Sequence, residues 1–215
     1  MRRLAMVGPG LALAVMGVLH LAFPGVVDPL SGLLSDYALG DRTGALFLLG
    51  MLALAAGSCA AAYTLAQWDP IRSAAARVLL LVASAGLVLS ALFPTDPAPD
   101  VSSLSGEIHR WSTALVFTAI PGAGWILARQ SRRPLPLVRA LSLASVMILA
   151  SFLLSHPGSP VAELLGGPAF YGLLERALVV AEIALLIVMG GTNALERPTT
   201  SKELPDQAHF ARSVG

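Results

Sequence analysis

Six apolar stretches, each long enough to cross a bilayer, constrain the fold of this chain more than any other feature. They cover about residues 4–24, 44–66, 75–94, 111–128, 139–156 and 169–191. A helix needs about 20 apolar residues to span a hydrocarbon core of about 30 Å. Because that core holds no water, every backbone N–H and C=O must be paired inside the protein, and a helix pairs its own. The sequence therefore predicts an all-α, multi-pass membrane protein, a bundle of six transmembrane helices.

Composition supports this interpretation and limits the partners. The chain is 55% hydrophobic and only 13% charged, which is too little charge for a water-facing globule of 215 residues. No phosphate-binding glycine loop or nucleic-acid patch is present, so the expected partner is the lipid bilayer and no nucleic acid. We predict one transmembrane domain over residues 1–195. The polar residues 196–215 are expected to form a disordered cytoplasmic tail.

The basic residues alternate between the two sides of the predicted bundle. Eleven of the fourteen Arg and Lys residues lie at the N-terminus, in the second and fourth connections, or in the C-terminal tail. Cytoplasmic loops carry this excess, so both termini are predicted to be cytoplasmic and the protein to lie in the cell membrane. The first stretch begins like a signal peptide but reaches Phe23 without a small-x-small cleavage site. We therefore expect it to be retained as a helix.

Histidines and acids gather at the predicted extracytoplasmic boundary. His20, His109 and His156 all fall there, and imidazole with carboxylate is a ligand set that zinc accepts. Their spacing matches no metal motif such as H-E-x-x-H, so no cofactor is predicted and zinc remains the alternative. Asp96 precedes His109 by thirteen residues across one loop. An Asp that orients an imidazole would suit general acid–base chemistry.

The last stretch carries three ionisable residues. If it begins near Ala169, a rise of 1.5 Å per residue puts Glu175 about 9 Å and Glu182 about 20 Å into the membrane. A charge at such depth costs on the order of 2.5–3.5 kcal/mol, so these side chains should face the bundle interior. Glu175 and Arg176 either form an internal ion-pair network or belong to a buried site reached from outside. Glu182 is either a protonated acid hydrogen-bonded to a neighbour or part of a proton or ion relay.

Asp36 and Asp96 lie at the depth where they could receive the guanidinium fork of Arg176. Together with His109 and Glu175, these residues make up the predicted ligand-binding cluster: Asp36, Asp96, His109, Glu175 and Arg176.

Four segments together resemble a known family. They are Leu30-Ser-Gly-Leu-Leu-Ser-Asp-Tyr-Ala38, Phe93-Pro-Thr-Asp96, Gly106-Glu-Ile-His-Arg-Trp111 and Tyr171-Gly-Leu-Leu-Glu-Arg176. This combination is similar to the prokaryotic integral-membrane family called domain of unknown function 998, over about residues 5–192. The resemblance implies a six-helix bundle in a prokaryotic plasma membrane, with a polar cluster near one face. It implies no activity, because the family is uncharacterised.

Three hypotheses for function follow from these features. The favoured one is a non-enzymatic binding or transport role, in which the predicted cluster holds a small polar ligand or a lipid headgroup. The second is a metal-dependent membrane hydrolase that acts on lipid at the outer leaflet, with zinc on His20, His109 and His156. The third is a structural or assembly subunit whose polar cluster only fixes how the helices dock. The sequence does not determine the oligomeric state.

Overall fold

The computed structural model describes residues 1–97, 102–165 and 167–191, and within them the chain is helical throughout, with no strand. The six long helices are α1 (Arg2–Ala22), α2 (Thr43–Trp68), α3 (Ala74–Leu92), α4 (Leu104–Gln130), α5 (Pro136–Leu154) and α6 (Tyr171–Gly191). Helices α1 to α5 are long and apolar enough to cross a membrane. The prediction of an all-α polytopic bundle is confirmed. The tail, residues 196–215, lies outside the described residues, and the cytoplasmic location of the termini stays a prediction.

Helix α6 lies at the centre of the bundle. Consecutive helices pack against one another, α1 also packs against α6, and α6 contacts α2 and α4. We call the end where α1, α3 and α5 finish and α2, α4 and α6 begin the upper end. There the upper loop, residues 23–42, joins α1 to α2 and contains a short 3₁₀ helix, Leu34–Leu39. Two further short 3₁₀ helices, Ala162–Leu165 and Gly167–Phe170, precede α6.

Small residues bring the backbones of α1 and α2 close together. A Cβ atom on Gly8 would lie 2.5 Å from the carbonyl oxygen of Ala53 and 2.9 Å from the Cα of Gly57. The ring of Pro9 occupies the space that a Cβ on Gly57 would need. Since lipid removes the hydrophobic drive for helix association, this close packing is what holds the two helices together.

Hydroxyl groups add hydrogen bonds between helices. Ser58 donates from Oγ to the carbonyl of Leu80 at 2.9 Å, which links α2 to α3. Ser90 on α3 and Thr113 on α4 share a hydrogen bond of 3.1 Å between their hydroxyls. The second bond joins α3 to α4 near the upper end.

Helix α4 begins at Leu104, well before the predicted start near residue 111. Ser103 caps it, because its Oγ accepts a hydrogen bond of 3.0 Å from the N–H of Gly106. The first turns carry Glu107 and Arg110, which form an exposed ion pair of 2.9 Å. Such polar turns lower the hydropathy, so the apolar stretch marks only the later part of the helix.

Candidate functional site

Arg176 fastens the upper loop to α6 and α1. It is 8% exposed, and its Nε donates to Nε2 of His20 at 2.8 Å. Its Nη1 donates to the carbonyls of Gly32 at 2.6 Å and Gly172 at 2.8 Å. The guanidinium thus binds an imidazole and two carbonyls, whereas the sequence suggested a carboxylate partner. We call Arg176, Glu175 and His20 the latch.

The hydrogen bonds of His20 define its tautomer. Nδ1 lies 2.8 Å from the carbonyl oxygen of Met16, so Nδ1 carries the proton. Nε2 then carries a lone pair and accepts a hydrogen bond from Nε of Arg176. The ring also stands edge-on to Tyr37, with 5.6 Å between centroids. Both ring nitrogens of His20 are therefore engaged within the protein.

Glu175 holds the start of the 3₁₀ helix in the upper loop. Its Oε2 accepts a hydrogen bond of 2.6 Å from the N–H of Leu34. The carboxylate of Asp36 accepts from the N–H of Leu33 at 2.9 Å. Burial raises the pKa of Asp36, and the Leu33 N–H and the Arg176 charge act in the opposite direction. Asp36, Glu175 and Arg176 thus lie together at the junction of the loop and α6.

Glycine is required where the loop crosses α6. A Cβ atom on Gly172 would overlap the carbonyl oxygen of Gly32 and would lie 2.8 Å from Nη1 of Arg176. Beside this contact, the N–H of Leu173 donates to the carbonyl of Leu30 at 2.9 Å. The loop backbone therefore lies directly on the first turn of α6.

Asp96 belongs to a different part of the upper end. Its Oδ2 accepts from the N–H groups of Ser102 and Ser103, both at 2.8 Å, and its Oδ1 accepts from the Ser103 hydroxyl at 2.7 Å. The hydrogen bonds of Ser103 and Ser102 lower the pKa of Asp96. Asp96 thus organises the entry into α4 and makes hydrogen bonds to neither the latch nor His109.

His109 takes its orientation from the end of α3. It is 5% exposed, and Nδ1 lies 3.0 Å from the carbonyl of Ser90 and 2.9 Å from that of Phe93. Nδ1 therefore carries the proton and leaves Nε2 as the acceptor. The carbonyls at a helix C-terminus have no intrahelical partner, which makes them available for this role.

The three candidate zinc ligands have separate partners. His156 accepts at Nδ1 from the N–H of Gly158 at 3.0 Å and sets its ring edge against Tyr171. His20 and His109 are engaged by Arg176 and by the end of α3. In the part of the chain that the structure describes, no three His, Cys, Asp or Glu side chains converge as metal ligands would. Zinc on His20 would require its Nε2 to leave Arg176, and zinc on all three would require the imidazoles to come together.

A cavity of about 90 Å³ lies inside the bundle below the upper loop. Leu34 and Ser35 of the loop line it, and most of the other lining side chains are apolar. The polar side chains on its wall are Ser35, His109, Thr113, Glu175 and Glu182. Neither Ser35 nor Thr113 was predicted, although Thr113 follows His109 by four residues and so shares its helical face.

Glu182 is the most isolated polar group of this cavity. It is 2% exposed, and its Oε1 has no hydrogen-bond partner among the residues described. It lies seven residues after Glu175, about 10 Å further along α6. Of the two roles predicted for this acid, a hydrogen bond to a neighbour is not seen for Oε1 among the described residues, and the proton or ion relay stays a prediction. A buried acceptor of this kind can bind a donor that the protein does not supply.

The family model described as protein of unknown function, DUF998, matches residues 6–192. The chain belongs to this family. The match spans all six helices of this DUF998 protein, with the latch and the cavity, and it confirms the resemblance seen in the sequence. Neither a curated protein nor a solved structure gives a significant match. Family membership and the apolar helices together indicate an uncharacterised multi-pass membrane protein.

Proposed function

We propose that this DUF998 protein of the prokaryotic cell membrane binds a small ligand in the central cavity, in a binding or transport role. The observation that carries the proposal is Glu182, a buried carboxyl without a partner among the described residues, on the wall of a largely apolar cavity. An unpaired buried polar group costs about 1–3 kcal/mol. A ligand with a hydrogen-bonding head and an apolar body would remove that cost and fill the space.

The upper loop provides a route to this cavity. Leu34 and Ser35 line the cavity from the loop, and the latch holds the same loop against α6. Displacing the loop would open the cavity toward the upper end, which the loop charges predict to be extracytoplasmic. In this proposal four residues of the predicted cluster have two roles, and Asp96, which organises the entry into α4, has neither. Asp36, Glu175 and Arg176 hold the upper loop over the cavity, while His109 faces the ligand.

The size of the cavity limits the ligand and its affinity. Because a cavity of about 150 Å³ holds benzene, about 90 Å³ suits roughly four non-hydrogen atoms. At best, very small ligands gain about 1.5 kcal/mol per non-hydrogen atom, or about 6 kcal/mol here. That corresponds to a Kd no tighter than about 40 μM. The ligand would therefore act at concentrations from about 40 μM into the millimolar range.

Thermal-shift measurements with three probes of four non-hydrogen atoms test the proposal. The probes are n-propylammonium chloride, 1-propanol and sodium acetate, each at about 10 mM. A probe with a Kd of about 1 mM would stabilise the protein by about 1.4 kcal/mol at that concentration. We expect at least one probe to raise the Tm of the wild-type protein in detergent.

Two variants of α1 show whether the cavity is responsible. Ala12 is buried and lines the cavity, whereas Ala14 is exposed on the outer surface of the same helix. Ala12→Leu adds three carbon atoms to the cavity and should abolish the response, while Ala14→Leu should keep it. A wild-type protein that responds to no probe would contradict the proposal and favour the structural hypothesis. An unchanged response in Ala12→Leu would also contradict it.

A further inference from the structure

We infer that the cavity selects an ammonium group, and that its ligand is a small primary amine with a short alkyl chain. This inference rests on the proposed function, because it names the class of ligand that the same cavity takes. It is carried by the kinds of polar group that line the cavity: two carboxyls, one imidazole and the hydroxyls of Ser35 and Thr113, on a wall that is otherwise apolar.

The cavity presents acceptors. Glu182 offers a carboxyl oxygen without a partner within the described part of the chain. His109 commits its Nδ1–H to the carbonyls of Ser90 and Phe93, so its Nε2 can only accept. Glu175 also lines the cavity and uses one oxygen, Oε2, on the N–H of Leu34. A ligand that satisfies the two carboxylates and the imidazole lone pair has to donate, and the hydroxyls of Ser35 and Thr113 can accept as well.

No positive side chain in the described lining balances these acids. The lining residues include neither Arg nor Lys. The nearest basic side chain along α6, Arg176, is directed to His20, Gly32 and Gly172 instead. An anionic ligand would meet two carboxyls and no Arg or Lys among these lining residues. An alcohol would donate one hydrogen bond, whereas a primary ammonium group donates three and neutralises a carboxylate.

The apolar part of the wall fits the alkyl chain of such an amine. Ala12, Val15, Leu87 and Val116 line the cavity with methyl and methylene groups. Burying a methylene group in such surroundings is favourable, so propylammonium should bind better than ammonium itself. The same ammonium chemistry occurs in a free amine and in the ethanolamine headgroup of a lipid, and the test must distinguish these sources.

Isothermal titration of the purified full chain in detergent provides the test. The titrants are n-propylammonium chloride, 1-propanol and sodium acetate, applied to wild type, Glu182→Gln and Glu163→Gln. Glu163 is an exposed acid near the upper end and serves as the matched control. We expect propylammonium to bind wild type and Glu163→Gln at least tenfold more tightly than it binds Glu182→Gln. We also expect wild type to prefer propylammonium over 1-propanol by at least tenfold.

Two further titrants identify the source of the ammonium group. Dihexanoylphosphatidylethanolamine carries a primary ammonium, and dihexanoylphosphatidylcholine is its control without N–H donors. If the ethanolamine lipid competes with propylammonium and the choline lipid does not, the site takes a lipid headgroup. If neither lipid competes, the site takes a free amine.

The outcomes separate this inference from the proposed function. Suppose that 1-propanol or acetate binds, that Ala12→Leu abolishes this binding, and that wild type binds propylammonium no more tightly than the other titrants. The cavity then binds a ligand, and the ammonium inference is wrong. If propylammonium binds Glu182→Gln as tightly as wild type, the inference is wrong as well. If no titrant binds wild type, both proposals fail. The preference among titrants is measured in the wild-type protein, so it holds even if Glu182→Gln does not fold.

Discussion

Replacing Arg176 by Ala should detach the upper loop from α6. The wild-type side chain makes two hydrogen bonds to other parts of the fold, to His20 on α1 and to the carbonyl of Gly32 in the loop. Hydrogen bonds from a charged donor contribute about 1.5–3 kcal/mol each, which gives about 3–6 kcal/mol for the pair. The buried Nη2 of Arg176 lacks a partner among the described residues, and removing it returns part of this loss. We therefore expect a net loss of about 2–4 kcal/mol.

The assay is reversible unfolding by sodium dodecyl sulfate in mixed micelles, which yields the free energy of unfolding. Arg110→Ala is the matched control, since the Arg110 side chain is 54% exposed and contacts only its own helix, through the ion pair with Glu107 and the ring of Trp111, in the described structure. Exposed pairs of this kind contribute at most about 1 kcal/mol. Arg176→Lys should recover at most part of the loss, because a single ammonium lacks the fork that reaches both acceptors. Equal losses for Arg176→Ala and Arg110→Ala would refute the latch.

Two further predictions concern the loops at the upper end. Gly172→Ala should lower the Tm by several degrees, because overpacking against the Gly32 carbonyl costs about 1–3 kcal/mol. Gly17→Ala is the control and should leave the Tm unchanged, because a Cβ at Gly17 would lie in open space. Equal Tm values for the two variants would count against the Gly172–Gly32 contact. Asp96→Asn should also lower the Tm. The hydrogen bonds from Ser103 lower the pKa of Asp96, so the charged carboxylate stabilises the fold at any pH above the ordinary pKa of Asp. This stabilisation is lost only in stronger acid. The Tm difference should therefore stay constant between about pH 5 and pH 8, and a difference that disappears within that range would contradict this assignment.

The apolar pattern predicts the helices because burial in lipid depends on composition more than on detailed packing. It also indicates that Glu175, Arg176 and Glu182 face inward, since charge is costly in hydrocarbon. All three are buried in the structure. The start of α4 could not be predicted in the same way, because its first turns are polar and Ser103 sets the boundary.

The partners of the polar residues depend on the path of the chain, which periodicity does not specify. Arg176 was expected to bind a carboxylate and instead donates to His20 and to backbone carbonyls. His109 was expected near Asp96, and carbonyls at the end of α3 orient it instead. Glu182 was expected either to hydrogen-bond a neighbour or to belong to a proton or ion relay. Its Oε1 has no partner among the described residues, and it lines a cavity that only the packing of several helices creates.

The most direct test of the account is whether a small amine enters the cavity. Saturation-transfer NMR on the protein in nanodiscs of deuterated lipid would detect contact between the propyl chain of n-propylammonium and the methyl groups of the cavity wall. We predict strong transfer in wild type and Ala14→Leu, and none in Ala12→Leu. Equal transfer in all three proteins would place the amine elsewhere and contradict the role proposed for Glu182 and its cavity.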